Sequence, residues 1–455
     1  MLPLPPLAIL AVATIVVVLL IVRLRLNAFL ALLVATVLVG LLSPKVPLGE
    51  VMPETARQFG AMVGRIGIAL ALAAIVGHCL TASGAADRIV RRFVAWLGEG
   101  RASLSLMASG YVLSVPVFFD TVFYLLVPLA RAMSMRLGGR QYVLLVLAIS
   151  AGGSATHVFV PPTPGPLAMA ATLDVDVGLV ILVGLLVALP ASLCGWLYAV
   201  WIDRRLAIPI RSAPGESLER LGETAARPES ELPGLGASLL PILLPVGLIA
   251  AGTVARSLGG EDGPAPVLVF LANPNLALLL GAAAALWVLA RQRRLTLTEL
   301  SGSLDTAISS AGVIILITAA GGAFGGMLVG AGVGEALRGL SEGAGLAPLV
   351  LGFLLAALFK TAQGSGTVAM ITVSAILKPL VDVGPLPHHV VYLVMAVGAG
   401  SLVGQWMNDS GFWVFRTMTG LTEVETLETK SVMMAVLGFS AMAITLLASW
   451  LLPLV

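Results

Sequence analysis

Apolar runs of roughly 20 residues recur from one end of the chain to the other, and short intervening stretches hold most of the charges. A helix of about 20 residues spans the roughly 30 Å hydrocarbon core of a bilayer. The alternation of a transmembrane barrel is absent. The pattern therefore predicts an all-α polytopic membrane protein. Ten full passes divide the chain most economically: 5–22, 27–43, 61–82, 141–172, 177–201, 237–256, 267–290, 306–330, 387–415 and 431–453. Two further apolar segments, 102–135 and 346–382, are too long for one ordinary span and carry a polar interruption near the middle. They read as re-entrant hairpins, each entering and leaving on one face. Residues 4–22 have no basic residue before them and no small-residue cleavage site after them, so they read as a retained first helix.

Charge placement tests this topology. It puts Arg23, Arg25, the arginines of 88–101, 131–140, 204–227 and 291–294, Arg416 and Lys430 on one side. Lys45, Arg57, Arg256 and Arg338 fall opposite, while Arg65, Lys360 and Lys378 lie at membrane depth or its edge. Basic residues collect on the cytoplasmic side, so both termini are expected outside a multi-pass plasma (inner) membrane protein. If the first hairpin crossed the membrane, the later arginine clusters would move outside and the asymmetry would collapse.

Composition agrees. Hydrophobic residues make up 58% and charged ones 11% of the 455 residues, against roughly 25% charged in soluble domains; mean hydropathy is +1.02. A net charge of +2 argues against nucleic acid as a partner. Cys79 and Cys194 fall inside apolar spans and read as packing residues, so neither disulfide, metal site nor cofactor is expected. Residues 203–236 hold eleven charged residues with Pro, Gly and Ser interspersed, the composition of a solvated cytoplasmic tether.

The two halves resemble each other at an offset of about 246–248 residues. Each runs as a Gly-rich helix, a hairpin, an interrupted helix and a closing helix, with Thr121-Val122 opposite Thr367-Val368 and Ala151-Gly152 opposite Ala399-Gly400. The expected division is a helix pair (1–60), a first repeat (61–202), the linker (203–236), a second helix pair (237–305) and a second repeat (306–455). By the pass count the repeats are inverted. Inverted repeats whose helices break at matching places point to a secondary transporter with its site near the midplane.

Four interruptions should carry the chemistry: the hairpin tips SVPVFFDTVF and FKTAQGSGTVA, and the breaks at 150–166 and 398–413 in the helices 141–172 and 387–415. Gly and Pro at such density are expected to interrupt a helix, and lipid cannot satisfy the freed amides and carbonyls. These segments should therefore face one another or a watery cavity.

The strings AQGSGTVA, THVFVPPTPGP, MNDSGFW and FFDTVFYLLVPLA resemble signature segments of the gluconate:proton symporter (GntP-type) permeases of the ion transporter superfamily, in the right order along the whole chain. The resemblance implies uptake of a sugar acid such as gluconate with protons, by an elevator-like movement of the hairpin-bearing part. The family commonly has His where this chain has Thr163 and Trp406. Relatives carry other small hydroxy- or amino-carboxylates.

Among single residues, Asp120 is an isolated carboxylate at a hairpin tip, read as the proton carrier, with a structural hydrogen bond to loop amides as the alternative. Asp409 is either a second carrier or an Asx-type helix cap. His157, which can titrate near neutral pH, reads as the reserve proton carrier and a substrate contact, with a packed histidine as the alternative. Lys360 neutralises a substrate carboxylate, pairs with Asp120 or snorkels. Ser154, Thr156, Gln363, Gly364, Ser365, Gly366, Thr367, Asn408 and Ser410 supply hydroxyls, amides and backbone groups for a polyhydroxy acid, or pack helices together. Trp406, Phe412 and Trp413 wall the site or pack. His78 reads as a helix-packing residue, and His388 and His389 as interfacial. Neither HExxH, GxSxG nor a Walker sequence occurs, which excludes the obvious intramembrane hydrolases and ATP-driven pumps. An uncoupled anion channel and sodium coupling remain as alternatives, and a homodimer as a possible assembly.

Overall fold

The computed structural model describes residues 4–454 except 137–140, 207, 211–230, 259–264, 334, 337–346, 385 and 408. The described residues are helical, without a strand. In chain order the helices are α1 (Pro6–Val22), α2 (Ala28–Leu42), α3 (Val51–Ser83), α4 (Ala85–Leu97), α5 (Ala102–Leu113), α6 (Phe119–Arg136), α7 (Tyr142–Phe159), α8 (Pro164–Thr172) and α9 (Val177–Leu206). They continue with α10 (Leu235–Leu258), α11 (Pro266–Leu271), α12 (Pro274–Arg293), α13 (Leu297–Gly330), α14 (Pro348–Gln363), α15 (Gly366–Asp382), α16 (Val390–Gly400), α17 (Ser410–Thr419), α18 (Glu423–Thr426) and α19 (Val432–Leu451). Among the described residues seven helical segments are long and apolar enough to cross a membrane, and α1, α2, α5, α14 and α16 are shorter apolar helices. The protein is a multi-pass membrane protein. Most of the tether 203–236 lies outside the described residues; 203–206 end α9 and 235–236 begin α10.

The segments 102–135 and 346–382 are helix–turn–helix units, α5–α6 and α14–α15, whose turns fall at 114–118 and 364–365. The helices 141–172 and 387–415 are broken at 160–163 and 401–409.

Two boundaries differ from expectation. The break expected over 150–166 is confined to its second part, because α7 continues through Gly152 and Gly153 to Phe159. These glycines serve close packing: a β-carbon at Gly152 would lie 2.0 Å from the Met107 carbonyl oxygen of α5. Small residues let two backbones approach in this way. The single pass expected at 267–290 is instead a short α11 followed by a restart. The Asn273 side chain accepts from the amides of Asn275 and Leu276, and Pro274 occupies the first turn of α12, which favours a new N-terminus there.

The Tyr142–Thr172 segment is 94% buried by the rest of the chain, against 39–50% for the other candidate spans. It is the axis of the molecule. α5, α6 and α9 pack around α7, while α14 and α19 pack on α16. The long helices α3 and α13 lie against each other, and α13 also packs on α15. The AAGGAFGG stretch of α13 makes that fit possible; a β-carbon at Gly325 would touch Ala375 of α15 at 3.0 Å.

Arg131, expected at the cytoplasmic surface, is 1% exposed. It donates to the Tyr142 hydroxyl (3.1 Å) and to the Met418 carbonyl (2.6 Å) in the last turn of α17. Helix C-terminal carbonyls attract a cation, so this arginine is held inside the protein.

Candidate functional site

A cavity of about 330 Å³ opens where the two helix–turn–helix units, the two broken helices and the turn before α19 meet, walled on one side by Ile314 and Ile317 of α13. Four helix N-termini line it: α6 with Phe119 and Asp120, α8 with Pro164, α15 with Ser365, Gly366, Thr367 and Val368, and α17 with Ser410 and Gly411. Unpaired amides and the helix dipole make such ends favourable to negative charge.

The expected residues divide. Asp120, Ser154, His157, Lys360, Ser365, Gly366, Thr367, Asp409 and Ser410 line the cavity. Thr156 does not: it is fully buried and its hydroxyl donates to the Gly152 carbonyl of its own helix at 3.2 Å. Because α7 continues past Gly153, Ser154 and His157, one turn apart, share a face, and Thr156 points elsewhere. Asn408 lies outside the described residues, as does the side chain of Gln363. Trp406, Phe412 and Trp413 are not at the cavity; the two indoles donate to the Thr361 and Met407 carbonyls. His78 is away from it too, and the His389 side chain caps α16.

The charges are arranged as two carboxylates and two ammonium groups. Lys360, in the last turn of α14, is 4% exposed. It forms an ion pair with Asp409 Oδ2 and donates to the Gly364 carbonyl at 2.6 Å. Gly364 ends α14 with φ +90°, a left-handed conformation that glycine adopts without steric cost, and this turns its carbonyl back onto the lysine. Asp409 is the N-cap of α17: its Oδ1 accepts from the Phe412 amide (3.2 Å) and from Gln405 Nε2 (2.9 Å). Lys360 thus pairs with Asp409 rather than with Asp120, and the cap reading of Asp409 holds geometrically.

Asp120 is different. It is half-buried in the first turn of α6, and no described residue donates a hydrogen bond to its carboxylate. The charges of Lys430 and Lys360 both reach it. His157 presses edge-on against Phe118 (centroids 6.3 Å apart), and its buried Nδ1 has no partner among the described residues. Ser365 caps α15 through the Val368 amide at 3.3 Å.

Lys430 was expected at the cytoplasmic surface and is instead fully buried at the cavity. It belongs to a π-helical turn, Leu427–Ser431, between α18 and α19. Its Nζ donates to Ser154 Oγ (3.2 Å) and lies 4.6 Å from the Phe119 ring centroid and 5.8 Å from that of Phe415. Phe119, Phe123 and Phe415 stack in a row behind it. A signal was available in the sequence: Thr426, Thr429, Lys430, Met433 and Leu437 follow helical spacing and are all buried. That face carries the lysine inward. Gln405 was also missed; it lines the cavity with a buried Oε1 that has no partner among the described residues. Among the described residues no group of three His, Cys, Asp or Glu has the placement to hold a metal.

Comparison with known proteins extends over nearly the whole chain. A family model described as GntP family permease matches residues 5–451. The gluconate permease of Pseudomonas aeruginosa is 34% identical over 435 residues, 94% of each chain. The low-affinity gluconate transporter of Escherichia coli K12 is 33% identical over 422 residues, 92% of each. An uncharacterized permease of Haemophilus influenzae is 34% identical over 93% of this chain and 88% of its own. The crystal structure of the Alcanivorax borkumensis YdaH transporter, described as having an unusual topology, is similar at a TM-score of 0.63 and 16% identity, over 94% of this chain and 98% of that one. At that identity the likeness concerns the fold alone.

Proposed function

Since the chain belongs to the GntP family of permeases, we propose that it imports a sugar acid, gluconate foremost, in symport with protons across the inner membrane. The observation that carries this reading is the cavity itself: four helix N-termini, and the buried Lys430 ammonium beside the Lys360–Asp409 pair, favour a small anion once Asp120 is protonated. Ser154, Ser365, Thr367 and Ser410 offer hydroxyls for its polyhydroxy chain. The gluconate permeases among its relatives favour the same cargo.

Asp120 is the proton carrier in this reading. Asp409 is held by a lysine, a glutamine and its own helix, so a proton there would have to break that set. The Asp120 carboxylate has no such partners among the described residues, and faces the cargo. His157 is the second candidate.

The movement is elevator-like. The cavity lies between α13 and the elements α6, α7, α14, α15, α16 and α17, so those elements would slide along α3 and α13 carrying the cargo. The repeats α3–α9 and α13–α19 would then be of opposite orientation, with both termini outside.

Purified protein in proteoliposomes tests the reading. An imposed inward proton gradient should drive gluconate accumulation, and Asp120→Asn should lose accumulation while retaining exchange of gluconate for gluconate. Accumulation that follows a sodium gradient instead, or an Asp120→Asn protein that still concentrates gluconate on a proton gradient, would refute it.

A further inference from the structure

Lys360 has a carboxylate in contact; among the described residues Lys430 has none in contact, though Asp120 lines the same cavity and its charge reaches the ammonium through space. Among the described residues Lys430 makes no ion pair, and its single hydrogen bond goes to the neutral Ser154 hydroxyl. Burying an ammonium without a counter-ion in contact is costly. The ring faces of Phe119 and Phe415 offset part of that cost. Among the described residues that positive charge is offset only through space, by Asp120, and when Asp120 takes up a proton the group that would satisfy it is an anion.

Counting the charges around Asp120 sharpens this. α14 contributes Lys360, the segment before α17 contributes Asp409, and the turn before α19 contributes Lys430. α7 contributes His157, a neutral imidazole in this count because its Nδ1 has no partner. α8 contributes Pro164, α13 Ile314 and Ile317, the start of α15 Ser365 and Thr367, and the segment after α16 Ser401 and Leu402, with no charge. With Asp120 ionised, two lysines balance two aspartates. A proton on Asp120 leaves one positive charge, and one carboxylate neutralises it.

We propose that Lys430 is the carboxylate anchor of the cavity, and that with Asp120 it restricts the cargo to monoanions, each accompanied by one proton. This rests on the transport reading above and adds to it the group that grips the cargo and the charge the site accepts. A dianion of the same length would bring a second negative charge into a low-dielectric cavity with no second cation free to meet it.

Binding to the purified protein is measured for gluconate, for the dianion glucarate, and for the uncharged hexitol of the same chain length. Wild type should bind gluconate and discriminate strongly against both others. Lys430→Gln should weaken gluconate about 10- to 100-fold, the value of one charge-assisted hydrogen bond, and leave the hexitol unchanged. Lys430→Arg should restore most of the preference for the anion. If Lys430→Gln does not fold, Ser154→Ala, which removes the hydroxyl that orients the ammonium, should narrow the gluconate-to-hexitol ratio several-fold, because any lost contact to the polyhydroxy chain weakens both ligands alike. Wild-type gluconate affinity in Lys430→Gln, or an unchanged ratio in Ser154→Ala if that variant has to serve, would overturn the anchor, as would glucarate bound as tightly as gluconate would the monoanion restriction. A wild type that binds none of the sugar acids would overturn the transport reading and the anchor together.

Discussion

Two groups of ion pairs in this protein use the same residue types under opposite conditions. At the cavity, Lys360 and Asp409 meet with side chains 4% and 9% exposed. Near the middle of α3, Arg65 pairs with Asp174 at 2.7 Å, Lys378 bridges Asp174 and Asp382, and the side chains are 18–53% exposed. The exposed cluster joins α3, the loop after α8 and α15, elements that have to separate if the cavity moves along α3. Exposed pairs are worth about 0.2–1 kcal/mol each, so they can hold two surfaces in register and still let go. The buried pair is of a different kind: removing one partner leaves a charge in a low-dielectric site. One group suits contacts that form and break, the other a contact that persists.

The largest expected effect follows from that contrast. Asp409→Asn keeps the side-chain shape and an N-cap residue for α17, but leaves the Lys360 ammonium without its carboxylate. Stability should fall by about 3–5 kcal/mol, as for other buried pairs deprived of one partner. Replacing both, as Lys360→Met with Asp409→Asn, should recover most of the loss. Thermal unfolding of the detergent-solubilised protein measures both. A double variant as unstable as the single one would show that the pair is held for packing and not for charge.

An intermediate effect tests how rigidly the cavity's wall is held. On an exposed helix, Gly→Ala gains about 1 kcal/mol. At Gly152 the new β-carbon would meet the Met107 carbonyl at 2.0 Å and the Tyr111 amide at 2.9 Å, both backbone atoms of α5. Since backbone cannot swing aside, α5 and α7 must move apart, and the net change should be a loss of about 1–3 kcal/mol. Ser154, two residues on, would shift with α7 away from Lys430, so gluconate binding should weaken as well. Gain of stability would mean that the two helices are free to slide.

These two regions also show what the sequence could tell. The helix–turn–helix tips were legible because Pro116, Gly364 and Gly366 interrupt long apolar runs, and Asp120 and Lys360 stand out where charge is costly. The path of α7 was not, because glycine reads alike whether it breaks a helix or lets a neighbour approach; the deciding atom, the Met107 carbonyl, belongs to another helix. The partner of Lys360 was equally hidden, since Asp120 and Asp409 are both plausible by spacing and only the fold brings Asp409 to it. Lys430 was misplaced because a basic residue at the start of an apolar run usually lies at the interface. Helical spacing from Thr426 to Leu437 pointed the other way.

The smallest effect is expected at Asp176, in the loop between α8 and α9. Its Oδ1 accepts from Thr253 Oγ1 (2.6 Å) and the Leu179 amide (2.9 Å), and Oδ2 from Arg256 (2.6 Å). Partial burial raises its pKa, but the bonds from Thr253, Leu179 and Arg256 together outweigh this and hold the carboxyl below its ordinary value. A carboxylate whose folded pKa is depressed contributes stability above its unfolded pKa, about 3.9 for Asp, and loses it as pH falls through the lower folded value. Asp176→Asn should therefore cost under about 1 kcal/mol at neutral pH, the range of exposed pairs. The gap between wild type and variant should shrink in high salt and close below about pH 4. Unfolding midpoints followed against pH and salt measure this. The Asp409→Asn deficit should respond far less to salt, because ions do not reach a pair that deeply buried. A salt response of equal size at both sites would erase the distinction between a contact built to break and one built to last.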